Sequence, residues 1–316
     1  MLFLDSSASI FVQCHSSMFR TTAHILMAMT LLSPFASAQS YYNFREAFLD
    51  RKGSIRSMTL LPVEESATTR VFDFRLKTST DSMTGRIRMP KGKGPFRTGL
   101  LAVGIETGKD VIAMIEGHDD VMLMAVDYPF EGEWEFRGWK GLSTTVSLRT
   151  MGFRTVPLLL SCLDWLFQQE DVDPSEVIMV AVSFGSFTAI PAAVIDTRVK
   201  QLVVVQGGGN LSGVISQNAK RWGTSLPGWL AGWIGNAILS PFEPNKYIPH
   251  LSPRPLLMVS GRGDTFFPPH SAEALFENAR EPKELVWHKT EHIMPGEKEL
   301  IKELTNVVVN KLYGEE

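Results

Sequence analysis

Val177–Phe187 reads V-I-M-V-A-V-S-F-G-S-F, and the fold turns on how that string is read. Its apolar run carries no polar alternation, as a strand buried on both faces of a parallel sheet requires. The run leads into Ser183, with Ala181 two residues before it and Gly185 two residues after. Small residues at those two places permit a sharp strand-to-helix turn that lifts the hydroxyl above the sheet and lets neighbouring backbone pack closely. The helix expected at Phe187–Ile195 starts just past the serine, so its N-terminal amides would face a developing anion. A buried serine in a tight turn fits the same string, so the choice rests on the rest of the chain.

Moving outward, buried strands are expected at about Leu100–Val103, Met122–Val126, Val177–Val182, Gln201–Val205, Pro255–Val259 and Glu284–His288. Helical patterns fall between several of them. The clearest is Thr155–Gln169, with Leu158, Leu159, Cys162, Leu163 and Leu166 on one face. Strands alternating with helices predict a mostly parallel, doubly wound α/β sheet with right-handed crossovers. Ahead of it, Arg70–Leu76 and Gly85–Met89 alternate apolar and polar residues around the turn-prone S-T-D-S, which reads as an antiparallel hairpin. Tyr41–Ser66 is mixed and polar, with a short helix expected around Asn43–Asp50. One insertion stands outside the alternation. After Gln206-Gly-Gly-Gly-Asn210 come about forty residues, roughly 208–248, with Trp222, Trp229, Trp233, Ile234 and Ile238 at loosely helical spacing. They read as a helical cap, whose tryptophans either line a ligand pocket or pack the cap on the core.

The 316 residues suit one large α/β domain with insertions, and 21% charged with 44% hydrophobic residues is ordinary for a globular protein. A formal net charge of -3 gives no case for nucleic acid or an anionic membrane surface. Two cysteines, Cys14 and Cys162, with no C-x-x-C or H-E-x-x-H pattern, give no case for a metal site. At the N-terminus, Arg20 precedes the apolar stretch Ile25–Leu32, Pro34 breaks it, and Ala36-Ser37-Ala38 forms an A-x-A cleavage site before Gln39. That layout predicts a signal peptide over residues 1–38, with translation starting at Met18, and a core too short to span a bilayer. The mature chain, residues 39–316, is then expected to be secreted or periplasmic, without membrane insertion. Cleavage leaves Cys162 as its one cysteine and excludes an internal disulfide.

A serine hydroxyl becomes nucleophilic when a base takes its proton, and the base needs an orienting acid. In a doubly wound sheet the loops beyond the carboxyl ends of the strands converge on one crevice. Leu256–Val259 is followed by S-G-R-G-D, which puts Asp264 beyond the penultimate strand, and Leu285–His288 by K-T-E-H, which puts His292 beyond the last. The chain order Ser183, Asp264, His292 is the one that accompanies a small-x-Ser-x-small turn. Competing residues read differently. Ser186 lies on the following helix and lacks the small-residue frame. His288 sits within a strand pattern, His270 at a helix start, and His250 and His118 in loops. Asp127, ending a strand in A-V-D-Y-P, reads as structural.

From about Gly85 to the C-terminus the chain resembles the α/β-hydrolases, nearest to the dienelactone hydrolase and acetyl-esterase-like branches. The resemblance is carried by G-R-I-R-M-P-K-G, L-D-W-L…D-V-D-P-S-E-V, S-P-R-P-L-L-M-V-S-G-R-G-D-T-F-F-P and E-P-K-E-L-V-W-H-K-T-E-H. It implies Ser183 as nucleophile, Asp264 as the aspartate after G-x-G, and His292 as the base. Ala181 stands where the family usually has glycine, and Val103-Gly104 where it usually has His-Gly. One oxyanion donor is then the amide of Phe184, and the other that of Ile105 or Glu106, with the Glu106 side chain turned away from the developing charge or bound to a cationic group. The expectation is a secreted serine hydrolase acting on small-molecule carboxylic esters through an acyl-enzyme, without metal or organic cofactor. A peptidase or amidase with the same triad, and a non-catalytic binding protein of this fold, are the rival readings.

Overall fold

Uninterrupted apolar runs end up where the backbone can satisfy itself only by strand pairing, and these runs build the centre of one nine-stranded sheet. The computed structural model describes residues 40–314. The leader read at residues 1–38 therefore lies outside the described residues. Residues 40–44 belong to an N-terminal unit and are helical; the second unit begins at Arg45.

The second unit opens with helical residues 45–49, followed by three antiparallel strands: β1 (Ile55–Glu65), β2 (Thr69–Thr78) and β3 (Ser82–Pro90). Then follow β4 (Phe96–Ala102), β5 (Met122–Val126), the long helix α1 (Gly138–Leu166), β6 (Val172–Val182), α2 (Ser186–Ile195) and β7 (Gln201–Val205). After β7 come α3 (Leu211–Asn218) and α4 (Gly228–Leu239), and then β8 (Leu256–Gly261), α5 (Pro269–Asn278), β9 (Lys283–His288) and α6 (Lys298–Tyr313). Spatial order is β1-β2-β3-β5-β4-β6-β7-β8-β9, with β3 antiparallel to β5 and every later pairing parallel. This is the α/β-hydrolase architecture, a mostly parallel sheet entered through antiparallel strands. The expected hairpin is its β2–β3 pair, and β1 extends it to three strands.

Strand order reverses beside β4: the chain passes from β4 outward to β5, then returns to place β6 on the other flank. Such a switch point opens a crevice at the carboxyl ends of the two flanking strands. Here those ends are Gly104 and Ser183. The register Ala102↔Ala181 brings the two strand ends side by side, and both alanines are fully buried. Between β7 and β8 the chain forms α3, α4 and short 3-10 turns reaching His250. No helix among the described residues is long and apolar enough to cross a membrane.

Candidate active site

Val182 ends β6 in extended backbone, and Ser183 follows at φ 53°, a left-handed conformation that costs a non-glycine residue about 1–3 kcal/mol. The strain persists because the surrounding chain fixes the turn. Gly185 packs so closely on β4 that a Cβ there would lie 1.8 Å from the Ala102 carbonyl oxygen. Ala181, two residues before the serine, is wholly enclosed between β4 and β7. The small-residue frame thus does steric work on both sides of the turn.

Ser183 Oγ lies 2.8 Å from His292 Nε2, and His292 Nδ1 lies 2.8 Å from Asp264 Oδ2. An ionised carboxylate only accepts hydrogen bonds, so the Nδ1 proton faces Asp264 and the Nε2 lone pair faces the serine hydroxyl. Asp264 is 2% exposed and His292 9%. The other carboxylate oxygen, Oδ1, accepts the amides of Phe266 and Phe267, at 2.8 Å each. The rings of those residues pack on His292, with centroids 4.8 Å and 6.0 Å away. Segment 264–267 therefore aims the acid and restrains the imidazole at once.

One residue holding this arrangement was not legible from sequence. Gln206, at the end of β7, is 1% exposed and sits at φ 46°. Its Nε2 donates to the Glu291 carbonyl at 2.7 Å and to Thr290 Oγ1 at 3.2 Å, while its Oε1 accepts the Ile293 amide. The backbone partners immediately precede and follow His292. Gly261 leaves room for this clamp, since a Cβ there would meet Thr290 O at 2.6 Å and Gln206 Nε2 at 3.1 Å. The only sequence signal was a lone polar residue ending an apolar strand.

On the β4 side, the amides of Thr107 and Gly108 close a turn on the Gly104 carbonyl, at 3.1 and 3.0 Å. These internal bonds use neither the Ile105 nor the Glu106 amide. Asp127 anchors the turn: Oδ1 accepts the Lys109 amide and Oδ2 the Thr84 hydroxyl, both at 3.0 Å. Gly108, at φ 46°, packs against the same carboxylate. Tyr128 donates to the Val103 carbonyl at 2.7 Å and sets its ring edge-on to Phe184, and burial pushes its phenol well above the usual value. Gly104, Ile105, Glu106, Ser183, Phe184 and His292 all line one cavity of about 800 Å³. Glu106 is exposed.

The cavity walls correct part of the tryptophan reading. Trp222 lines the cavity, stacked on Phe136 with centroids 5.3 Å apart. Trp229 and Trp233 do not; they are 71% and 67% exposed, on the outer face of α4. Spacing of four residues placed them on one helix face, but it is the solvent face, and Ala231, Ile234, Gly235 and Leu239 face the cavity instead. Nor is the wall confined to the insertion. Trp134, Phe136 and the first turns of α1, with Leu142, Leu148 and Met151, supply much of it. The other candidates lie apart from Ser183, Asp264 and His292. Ser186 is fully buried, packed where a Cβ on Gly207 would come within 1.9 Å of its hydroxyl. His288 pairs with Glu303 at 3.4 Å, and burial holds His250 below its usual value. Among the described residues, no group of three or more His, Cys, Asp or Glu side chains is disposed to hold a metal ion.

A family model described as serine hydrolase (FSH1) matches residues 210–304. Similar solved structures include acetyl xylan esterase 1 from Thermoanaerobacterium sp. JW/SL YS485, at 14% identity and TM-score 0.60, covering 86% of this chain and 93% of that one. Another is the acetyl xylan esterase from Paenibacillus sp. R4, at 14% identity and TM-score 0.59, covering 85% and 93%. A cold-adapted esterase from an Arctic intertidal metagenomic library follows at 15% identity and TM-score 0.52, covering 78% and 96%. No curated protein matches the sequence. The solved structures share the α/β-hydrolase fold with this chain, and residues 210–304 are similar to the serine hydrolase (FSH1) family.

Proposed function

We propose that this protein hydrolyses carboxylic esters through an acyl-enzyme formed on Ser183. The observation that carries the reading is the relay Ser183 Oγ–His292 Nε2 and His292 Nδ1–Asp264 Oδ2, both links 2.8 Å, opening onto the large cavity. His292 takes the serine proton as Oγ attacks the acyl carbon, and Asp264 stabilises the imidazolium. The amide of Phe184 and one from Ile105 or Glu106 receive the negative charge on the carbonyl oxygen, each worth about 3–4 kcal/mol in the transition state. As the ester C–O bond breaks, His292 returns the proton to the departing alcohol. Water, deprotonated by His292, then attacks the acyl carbon and releases the acid and free serine.

The esterases whose solved structures share this fold support ester over amide chemistry. The cavity favours apolar substrates, because its walls are Trp134, Phe136, Leu142, Trp222, Ile234 and Phe242 rather than paired polar groups. We also infer that the mature enzyme acts outside the cytoplasm, as a secreted or periplasmic protein beginning near Gln39; N-terminal sequencing of exported protein tests this. A fluorophosphonate probe tests the central reading. It should label wild type and leave Ser183→Ala unlabelled, and the variant should lose hydrolysis of aryl esters by at least three orders of magnitude. An alanine variant as active as wild type would refute Ser183 as nucleophile.

A further inference from the structure

A second cavity, of about 160 Å³, also reaches Ser183. Its walls are Leu101 and Val180 of the sheet, Val111 and Ile115 of the β4–β5 connection, and Leu304 and Val308 of α6. It exists because the β4–β5 crossover covers its face of the sheet with only one 3-10 stretch, Gly108–Ala113, where a parallel crossover usually lays a full helix. Asp127 holds that stretch down at Lys109, so the gap is fixed by the fold. The two cavities share Gly104, Thr107, Ser183, Met294 and Pro295, and so meet at the nucleophile.

Their relation to His292 differs. His292 lines the larger cavity and not the smaller one. An ester oxygen that is to leave must sit beside Nε2 to receive its proton, so the alcohol portion belongs in the larger cavity. The acyl chain points away from the base, toward the side that Ser183 shares and His292 does not. We propose that the smaller cavity is an acyl-chain subsite, making the preferred substrate a short- to medium-chain fatty acyl ester of a bulky apolar alcohol. The proposal rests on Ser183 being the nucleophile. Apolar cavities of about 150 Å³ accept a six-carbon guest such as benzene, which sets the limit at about six acyl carbons. The step balances as ordinary acyl transfer: the Ser183 Oγ–acyl bond forms, the acyl–oxygen bond to the alcohol breaks, and the serine proton leaves with the alcohol through His292.

The test is a series of 2-naphthyl esters, from acetyl to decanoyl, followed by naphthol release. In wild type kcat/KM should rise about fourfold per methylene, by about two orders of magnitude from acetyl to hexanoyl, and fall beyond that length. Val111→Trp and Val308→Trp fill the cavity from opposite walls, and each should move the optimum to acetyl while fluorophosphonate labelling of Ser183 continues. Two variants are used so that misfolding of one does not decide the matter, and thermal unfolding identifies a misfolded one. A wild-type preference for acetyl, or an unchanged optimum in a folded, labelled variant, would overturn the subsite. Absence of labelling in wild type would instead overturn the nucleophile reading beneath it.

Discussion

Gln206→Leu preserves most of the side-chain bulk and deletes the amide that brackets His292. The Glu291 carbonyl and the Ile293 amide lose their partner, at a residue only 1% exposed. Both hydrogen bonds are part-buried, and each is worth about 0.5–1.5 kcal/mol, so the native loop position becomes less favourable by about 1–3 kcal/mol. The loop relieves this by moving toward water, and His292 moves with it. Both of the histidine's links are 2.8 Å long, and a displacement of about 1 Å costs on the order of 100-fold in rate. The expected outcome is a kcat on aryl esters about 100-fold below wild type, with KM within about threefold, at temperatures where the variant is folded by circular dichroism. Gln206→Glu keeps an acceptor for Ile293 but sets a carboxylate against the Glu291 carbonyl, so it should fall between the two. The decisive measurement is the same substitution in a His292→Ala background. A residue acting through the histidine has nothing left to position there, and the further loss should be under about threefold. Wild-type-like kcat in Gln206→Leu, or an equal loss with and without His292, would refute the positioning role.

Three other outcomes follow from the geometry. Gly185→Ala places a Cβ 1.8 Å from the Ala102 carbonyl, a strand backbone atom that cannot step aside; stability measured by urea unfolding should fall by about 4 kcal/mol or more, or the protein should be insoluble. Trp229→Ser and Trp233→Ser should leave kcat/KM within about twofold, while Trp222→Ala should lower kcat/KM for bulky apolar esters about tenfold, read from a naphthyl and phenyl ester panel. The hydrogen bond from Arg154 holds the Asp81 carboxyl below the usual carboxylate value, so its folded-state pKa is depressed. That stabilisation is complete above the ordinary Asp value of about 3.9 and is lost as pH falls through the lower folded value. Asp81→Asn should therefore be less stable than wild type at pH 7, and the gap should close on acidification below about pH 4, read from thermal midpoints.

What the sequence reveals about this molecule divides along a physical line. β5 and β7 coincide with the expected Met122–Val126 and Gln201–Val205 at both ends, because strands buried on both faces leave unbroken apolar runs. β1 leaves no such trace. It is an edge strand, largely exposed, with a register shift at Pro62/Glu64. The first half of α1 escapes for another reason: it is half-buried against a cavity rather than a core, so no clear apolar stripe marks it. Ser183, Asp264 and His292 can be found because each follows the end of a strand that is itself legible. Gln206 can be found only in three dimensions, since its partners at 290–293 are more than 80 residues away. Periodicity says that Trp229 and Trp233 share a helix face; it cannot say which face turns inward.

The cap and the chemistry are mechanically one piece, and this bears on how selectivity arises. Helix α3 is pinned at its start by Glu243, whose carboxylate accepts the Asn210 and Leu211 amides at 2.9 and 2.7 Å. At its other end Asn218 donates to the Phe266 carbonyl at 2.9 Å, and the following Arg221 bonds Thr265 Oγ1 at 2.9 Å while lying 4.0 Å over the Phe266 ring. Phe266 is the residue whose amide holds Asp264 and whose ring restrains His292. Leu211, Val214, Ile215 and Asn218 of α3 line the large cavity. A group that presses on this wall therefore presses, through Asn218 and Arg221, on the segment that aims the acid. On the proposed mechanism, discrimination among alcohol groups should consequently appear in kcat as well as in KM, because binding in the large cavity and alignment of His292 and Asp264 draw on the same contacts. The smaller cavity does not touch α3 or segment 264–267, and it meets the site at Ser183 and at Ile293, Met294 and Pro295. Most of its walls are sheet, the 3-10 stretch and α6, so discrimination among acyl chains should come mainly from the fit of the chain.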